Sequence, residues 1–346
     1  MRSFHARTTL DPVPSDVVAL LRRVDLAAGA EARHQDQLPE LLRSLREEAR
    51  IQSVTASSAI EGVIVADARA STILAGRTER FRTRSEAEFA GYTAALDYLQ
   101  GDVGELSVGL VLHLHRLLFS RTADGGGVFK TEANVVVDRD LDGVRTVRFQ
   151  PAGVAETPFM VEELVTRAGS ELDAGEHHPL LVIAAFVLDL LCIHPFTDGN
   201  GRVARLLTTY LLDRSGYGVG RYVSIEQLFF DAKDGYYVAL GQSTTGWFKD
   251  GRHDLWPWAR FLLTQVAGAY DRFSARIAAG TSAGTKQGRV RDYVLLQASA
   301  TFTINDIRRA CPGISDNTIR LTLNALRAVG HVEVDGTGRN ATWHRT

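Results

Sequence analysis

The stretch from His194 to Arg205 brings a base, a carboxylate and two arginines close together in the chain. It reads His-Pro-Phe-Thr-Asp-Gly-Asn-Gly-Arg-Val-Ala-Arg. Imidazole is a common general base, and a carboxylate with phosphates can hold Mg²⁺. Arginines at i and i+3 share one side of a helix, and the amino terminus of a helix attracts anions. The pattern predicts a polyphosphate and metal site, the alternative being a polar loop between two buried helices.

Two helices are expected to position this stretch. The apolar run Leu180 to Ile193 leads into the loop, and a second apolar-periodic helix is predicted from Arg202 to Asp213. Gly216 follows where a helix commonly ends. The chemistry would therefore lie on a turn between two packed helices.

The same stretch resembles the signature of the Fic family, H-P-F-x-D/E-G-N-G-R-x-x-R, at every fixed position. Members of that family are mostly helical and commonly transfer AMP from ATP to a hydroxyl group of a protein. The resemblance covers roughly residues 38–277. It implies ATP as substrate, Mg²⁺ as cofactor and a protein, or the chain itself, as acceptor.

The resemblance also implies a role for each residue of the motif. His194 would be the general base that takes the proton of a Ser, Thr or Tyr hydroxyl, and Asp198 would hold Mg²⁺ on the phosphates. The residues expected to bind or border the nucleotide are Phe196, Gly199, Asn200, Gly201, Arg202, Arg205, Tyr236 and Tyr237.

Within that set the expected tasks differ. Phe196 would anchor the loop. Backbone N–H groups of residues 199–201, the Asn200 side chain and Arg202 would hold the α- and β-phosphates, and Arg205 the γ-phosphate. Gly201 favours nucleotidyl transfer over phosphate transfer. The two tyrosines would border the adenine pocket, the alternative being that they are core aromatics.

A second motif precedes the predicted core, at the end of a helix expected from about residue 38. Ser57, Glu61 and Gly62 resemble the Fic inhibitory motif, S/T-x-x-x-E-G/N. The resemblance implies an inhibitory helix over about residues 38–62, in which Glu61 pairs with Arg205 and keeps that arginine from the γ-phosphate. The alternative is a solvated carboxylate beside a glycine that ends a helix.

A short hairpin is predicted between the helices, from a β-rich run and a second run at residues 144–149. In Fic proteins a hairpin at this place pairs its edge with the backbone of the target. The first run, which would form this target-docking flap, consists of Asn134, Val135, Val136 and Val137.

The end of the chain differs in composition. Residues 286–346 hold nine Lys/Arg and five Asp/Glu, a net charge of +4. Helix, helix, turn, helix and hairpin follow in the order typical of a winged helix-turn-helix, with Ser315–Val329 as recognition helix. The residues expected to contact duplex DNA are Asn317, Arg320, Asn324 and Arg339. The alternatives are a protein contact or a structural cap.

The predicted fold class is therefore mainly α: a Fic-type helical core with a small β-hairpin flap and a C-terminal winged helix-turn-helix domain. Its predicted parts are an N-terminal helical region over 1–84, the core over 85–277, a linker over 278–288 and the winged helix over 289–346.

Composition limits the class of protein. The chain has 346 residues, 45% of them hydrophobic, a net charge of −2 and two cysteines. No disulfide framework is implied, and a reducing, cytoplasmic compartment is expected. The N-terminal residues lack the apolar core of a signal peptide, and no apolar run reaches the length of a membrane span. The oligomeric state is left open, with a homodimer among the arrangements.

Two other functions stay open at this stage. The protein could be chiefly a DNA-binding regulator that uses its Fic core as a sensor. It could also remove AMP from a target, with Glu61 orienting a water molecule.

Overall fold

The structure is a computed structural model that describes residues 2–4, 10, 12–31, 39–139, 145–248, 253–336 and 341–345. The chain divides into two compact units, Met1–Arg272 and Phe273–Thr346. The fold is mainly helical, as predicted. Within the described ranges, every helix is too short or too polar to span a bilayer.

The described helices before the loop that starts at His194 are α1 Ser15–Glu31, α2 Pro39–Ile60, α3 Asp67–Leu74, α4 Arg84–Leu99, α5 Val108–Leu118, α6 Thr157–Ala174 and α7 Pro179–Ile193. Those that follow it are α8 Asn200–Arg214, α9 Ile225–Asp231, α10 Lys233–Thr244 and α11 Trp256–Gly284. Short 3-10 turns form at Arg2–Phe4 and Gly218–Arg221.

Helix α7 is the centre of the first unit. It begins at Pro179, a residue whose fixed φ suits the first helical position, and it is apolar around its whole circumference. It packs against α6, α8 and α10. Its one carboxylate, Asp189, is fully buried and accepts hydrogen bonds from the Ser3 hydroxyl and the Trp247 indole, both at 2.6 Å. The helix that leads into the His194 loop is therefore fixed by packing and by the hydrogen bonds of its buried carboxylate.

Helix α2 reaches the same region from the amino-terminal side. It packs against α4, α8 and α9. It ends at Ile60, and Gly62 takes φ 76°, a left-handed conformation that glycine adopts without strain. The chain therefore turns away directly after Glu61, as the sequence predicts.

The hairpin consists of antiparallel strands β1 Val136–Arg139 and β2 Arg145–Phe149, with an irregularity between Val136 and Val137. The prediction that the first strand starts at Asn134 is wrong, because Asn134 and Val135 precede the strand. For Val137 the described part is the backbone, which lies in β1.

The elements of the second unit are α12 Lys286–Asp292, a π-helical turn Tyr293–Gln297, β3 Thr301–Thr303, α13 Ile304–Ala310, α14 Asp316–Ala328, β4 Val332–Asp335 and β5 Thr342–Arg345. The sheet order is β3-β5-β4, all antiparallel. Ile319, Leu323 and Leu326 of α14 lie in the core of this unit. The sequence did not predict strand β3.

The predicted linker over 278–288 is largely helical. Helix α11 continues into it as far as Gly284, and α12 begins at Lys286. Alanine favours helix more than any other residue, which explains why this small-residue segment extends the helix before it.

Candidate active site

His194 ends α7 and is the one non-glycine residue in the described ranges with a positive φ, at 53°. Its Nδ1 lies 3.2 Å from the Leu191 carbonyl oxygen. A carbonyl only accepts hydrogen bonds, so Nδ1 carries the proton and Nε2 keeps a free lone pair. Burial lowers the pKa of His194 to about 4. The imidazole is therefore a neutral base with its accepting nitrogen available.

The loop after His194 is held by its own side chains. Phe196 N–H donates to Asn200 Oδ1 at 2.9 Å, and Asn200 Nδ2 donates to the Phe196 carbonyl at 2.7 Å. Phe196 itself is fully buried, which agrees with an anchor. Both polar atoms of the Asn200 side chain bind the loop backbone, and its contact with phosphate stays a prediction.

Two side chains from outside the loop brace it further, and neither was assigned this task from the sequence. Lys130 Nζ donates to the carbonyls of Ile193 and His194 at 3.1 and 3.0 Å. Asn134 Nδ2 donates to the Phe196 carbonyl at 2.9 Å. Asn134 was predicted in the docking flap; its amide instead faces the catalytic loop, because the chain has not yet entered β1.

The His115 side chain supports the loop that follows His194. Its ring stacks on Phe196 with centroids 3.8 Å apart. Gly127 N–H donates to His115 Nδ1 at 2.8 Å, so Nε2 carries the proton and donates to the Asp198 carbonyl at 3.2 Å. Burial lowers the pKa of His115 to about 4. The only sequence signal for this residue was its place in a segment, Leu114-His115-Arg116, that resembles Fic cores.

Helix α8 begins at Asn200, and Gly199 before it has φ 79°. A Cβ on Gly199 would lie 2.8 Å from Phe119, so only glycine fits this turn. A Cβ on Gly201 would lie 2.2 Å from Glu61 Oε1 and 3.2 Å from Arg205 Nη1. Gly199 therefore lets the turn approach the Phe119 ring closely, and Gly201 lets the start of α8 approach the charged groups of Glu61 and Arg205.

Arg205 meets the amino-terminal motif. Its Nη2 donates to Glu61 Oε1 at 2.9 Å and to the Ser57 carbonyl at 3.0 Å, and its Nε donates to the Ser57 hydroxyl at 2.8 Å. Burial acts to raise the pKa of Glu61, but the Arg205 charge outweighs it and the pKa lies below its usual range. Arg205 Nη1 is buried and has no protein partner within the described residues.

Arg202 is buried among carboxylates. Its Nη1 donates to Glu88 at 2.5 Å, and its Nη2 lies 3.3 Å from Asp198 Oδ1. Arg84 contacts the same two carboxylates, at 2.5 Å from Glu88 and 3.3 Å from Asp198. Glu88 and Arg84 are thus part of the site and were not predicted.

The residues present fit a magnesium ion bound together with phosphates. The Asp198 carboxylate is 54% exposed and faces the helix start. The described residues contain no cluster of three or more His, Cys, Asp or Glu that would form a metal site alone. Mg²⁺ is often bound by one or two carboxylates with substrate phosphates supplying further ligands.

The tyrosines of α10 lie beside Arg205 and α2. Tyr236 is buried, packs against Tyr237 with ring centroids 5.2 Å apart, and has its pKa raised to about 12 by burial. Tyr237 is half-buried, and its hydroxyl lies 3.5 Å from the Ile60 carbonyl. Of the two, Tyr237 has the accessible surface that a base-stacking residue needs.

The predicted DNA-binding residues are in the second unit. Asn317, Arg320 and Asn324 lie on the exposed side of α14. Arg339 lies outside the described residues.

Comparison with known proteins identifies the motif segment. Residues 105–212 match the model of the Fic/DOC family. A curated protein adenylyltransferase Fic of Drosophila mojavensis is 29% identical over 213 residues, which cover 59% of this chain and 40% of that protein. That of Drosophila grimshawi is 29% identical over 183 residues, 51% of this chain and 35% of that protein. The chain thus matches less than half the length of these relatives.

Solved structures support the fold. A Fic family protein from Desulfovibrio desulfuricans aligns over 97% of this chain and 98% of its own, with a TM-score of 0.61 and 22% identity. Fic-1 from C. elegans aligns over 77% of this chain and 74% of its own, with a TM-score of 0.61 and 23% identity. At these identities the structural likenesses show the fold.

Proposed function

We propose that this protein is an Mg²⁺-dependent protein adenylyltransferase that transfers AMP from ATP to a hydroxyl group of a protein, and that Glu61 restrains it. One observation carries the proposal. The buried, unpartnered Nη1 of Arg205 lies beside Gly201, on the helix that starts at the end of the His194 loop. An anion site and a neutral base are thereby built into one short segment.

His194 supplies the base. With its Nδ1 proton directed to the Leu191 carbonyl, Nε2 is free to accept the proton of a Ser, Thr or Tyr hydroxyl. The hydroxyl oxygen then attacks the α-phosphorus, and the bond to the oxygen bridging the α- and β-phosphates breaks to release pyrophosphate. A positioned base of this kind contributes about 10² to 10⁴-fold to the rate.

The start of α8 supplies the anion site. Backbone N–H groups of residues 199–201 and the guanidinium of Arg202 would hold the α- and β-phosphates, and Arg205 would hold the γ-phosphate. Asp198 would hold Mg²⁺, which neutralises phosphate charge when bound. Charge stabilisation of this type is usually the largest single contribution to catalysis.

Glu61 competes with the nucleotide for Arg205. While Nη2 of Arg205 binds Glu61, the γ-phosphate shares its site with a carboxylate of the same sign. Holding about 99% of the molecules in this state requires only ~2.7 kcal/mol. A charge-assisted pair between a buried arginine and a half-buried carboxylate can contribute much of that.

Labelled ATP tests the proposal. The full chain is incubated with Mg²⁺, cell lysate and ATP labelled at either the α- or the γ-phosphate. We expect protein to retain α-label and not γ-label, and His194→Ala to abolish it. Retained γ-label would indicate phosphate transfer, and loss of AMP from a labelled target in a Glu61-dependent manner would favour AMP removal.

A second candidate function concerns the second unit. We propose that it is a winged helix-turn-helix that binds duplex DNA, a proposal supported by the strand order β3-β5-β4 and by the exposed polar residues of α14. In such modules the second helix of the helix-turn-helix enters the major groove.

A further inference from the structure

A cavity of about 670 Å³ lies beside α2, away from the His194 loop. Helices α2, α4 and α8 and the 3-10 turn Gly218–Arg221 line it, and none of its lining residues belongs to the His194–Arg205 stretch. Cavities of about 300 to 1,000 Å³ are the usual size of small-molecule sites. The cavity is therefore large enough for a ligand that the catalytic loop does not touch.

Arginines dominate the polar lining. Arg43, Arg46 and Arg50 come from α2, and Arg221 comes from the 3-10 turn. The spacing of three and four residues places the α2 arginines on one face of the helix. We call these four residues the arginine pocket. Glu47 and Asp213 also line the cavity, Arg221 donates to Asp213 at 2.7 Å, and Arg50 pairs with Asp97 outside the lining. Four arginines thus face three carboxylates, and the remaining positive charge favours an anion.

Neighbouring side chains hold the guanidinium groups of Arg46 and Arg50 in place. Arg50 makes a bidentate pair with Asp97, at 2.6 and 2.7 Å. Arg46 donates to the Tyr222 hydroxyl at 3.0 Å, with its guanidinium 5.2 Å from the centre of the Tyr222 ring. Positioned guanidinium groups bind phosphate with less loss of side-chain entropy than mobile ones.

Part of the remaining lining is apolar. Leu96 and Leu99 from α4 and the rings of Tyr210 and Tyr217 line the cavity together with the arginine pocket. A free inorganic ion would leave this surface uncovered, whereas a phosphate ester with a ring would cover it. The combined chemistry is that of a small organic phosphate.

Helices α2 and α8 both line the cavity, and the contact between Glu61 and Arg205 joins the end of α2 to α8. Ser53 of α2 and Thr209 of α8 line it, and both donate to Glu226, at 2.7 and 3.1 Å. Ser53 lies one helical turn before Ser57, and Thr209 lies one turn after Arg205. The same pair of helices therefore forms both sites.

We propose that the arginine pocket binds a small organic phosphate and that this ligand favours the restrained state; the second half rests on the proposed function. A phosphate that contacts the α2 arginines and Arg221 ties α2 to the segment directly after α8. Its affinity falls if α2 moves away from α8, because the pocket is then divided. A ligand with such differential affinity shifts the equilibrium toward the closed arrangement.

Calorimetry on the full chain tests binding, with phenyl phosphate as the probe and phenol and inorganic phosphate as comparisons. We expect phenyl phosphate to bind more tightly than inorganic phosphate and phenol not to bind. The double variant Arg43→Gln/Arg46→Gln should weaken binding at least about 10-fold, because charge-assisted contacts are lost. Arg221→Gln should weaken it too, and provides a second test should the double variant not fold.

Arg272→Gln is the matched control, since it removes an exposed arginine that lies outside the pocket and pairs with Asp231. It should bind phenyl phosphate as wild type does. Equal binding by wild type and by the pocket variants would place the probe elsewhere and overturn the proposal, as would no binding to wild type.

Self-labelling by α-labelled ATP tests the regulatory half. Phenyl phosphate should lower labelling about 10-fold in wild type, the change expected for ~1.4 kcal/mol of coupling, and should leave Arg43→Gln/Arg46→Gln unaffected. Equal inhibition of both would indicate competition at the nucleotide site and overturn the regulatory half. If phenyl phosphate binds in calorimetry but no variant is labelled, Glu61→Gly included, the transferase proposal is rejected. The proposal that the arginine pocket binds an organic phosphate would then still stand.

Discussion

Glu61 and Arg205 are 144 residues apart in the chain, and their side chains meet at 2.9 Å. The guanidinium is buried, and its Nε and Nη2 both bind Ser57 as well. One arginine thus joins the end of α2 to the helix that follows the catalytic loop. Any anion that needs Arg205 must compete with a carboxylate already bound there.

The ion pair between Glu61 and Arg205 should require glycine at position 201. A Cβ at position 201 would lie 2.2 Å from Glu61 Oε1, and the flexible carboxylate would move away more easily than the backbone. We expect Gly201→Ala to lower the melting temperature of wild type by breaking the ion pair. In a Glu61→Gly background the same change should be neutral or stabilising, because alanine is favoured over glycine in helices by up to ~1 kcal/mol.

Thermal unfolding of the four proteins measures this coupling as a double-mutant cycle. Equal effects of Gly201→Ala in both backgrounds would show that the two residues do not interact as described.

His194 should stay neutral well below the pH at which histidines usually titrate. Burial lowers its pKa to about 4, and the nearby Lys130 charge acts in the same direction. Above that pH the imidazole has lost its proton and can serve as a base. An NMR titration of imidazole signals, assigned with His194→Ala, should show no His194 transition between pH 8 and 5. A midpoint near 6.5 would contradict the buried, neutral base.

Asn134 should act by bracing the loop. Its side chain binds the Phe196 carbonyl and accepts from Lys130 Nζ at 3.0 Å. Asn134→Ala removes one partner from the Phe196 carbonyl, which keeps Asn200 Nδ2, and one from Lys130 Nζ, which keeps two carbonyls. The expected cost is that of a lost hydrogen bond, about 1 kcal/mol. We expect a lower melting temperature and slower transfer, with the KM for ATP little changed.

The neighbouring Val135 is half exposed and provides the control. Val135→Ala should leave the melting temperature unchanged. If Asn134→Ala instead raised only the KM for a protein target, the docking role first expected for this residue would regain support.

The contrast between predicted and observed sites has a physical cause. The residues proposed to act on ATP are close together in the chain, so the sequence alone places His194 and Arg205 in one stretch of twelve residues. Lys130 and His115 bind backbone carbonyls of that loop, and nothing in a local pattern reveals such a long-range partner. Asn134 was misplaced because it precedes three valines, whose strand propensity masks the turn before them.

The second unit offers an independent test. Arg320 is exposed on α14, within a unit whose residues 286–346 carry a net charge of +4. Arg320→Ala should weaken binding to genomic fragments. The affinity of wild type should fall steeply with salt, because binding releases counterions from the DNA and this release is less favourable at high salt. A gel shift in low salt with no binding to any fragment would reject DNA as the partner.

The most direct test of the central claim is the rate of self-labelling from α-labelled ATP in wild type, Glu61→Gly and Glu61→Gly/His194→Ala. Releasing Arg205 should raise labelling at least about 10-fold, since a pair contributing ~1.4 kcal/mol or more restrains the active population. Arg205→Ala should not reproduce the increase, because it also removes the partner of the γ-phosphate. The double variant should be inactive. Labelling that is equal in wild type and Glu61→Gly, or that persists without His194, would contradict the account.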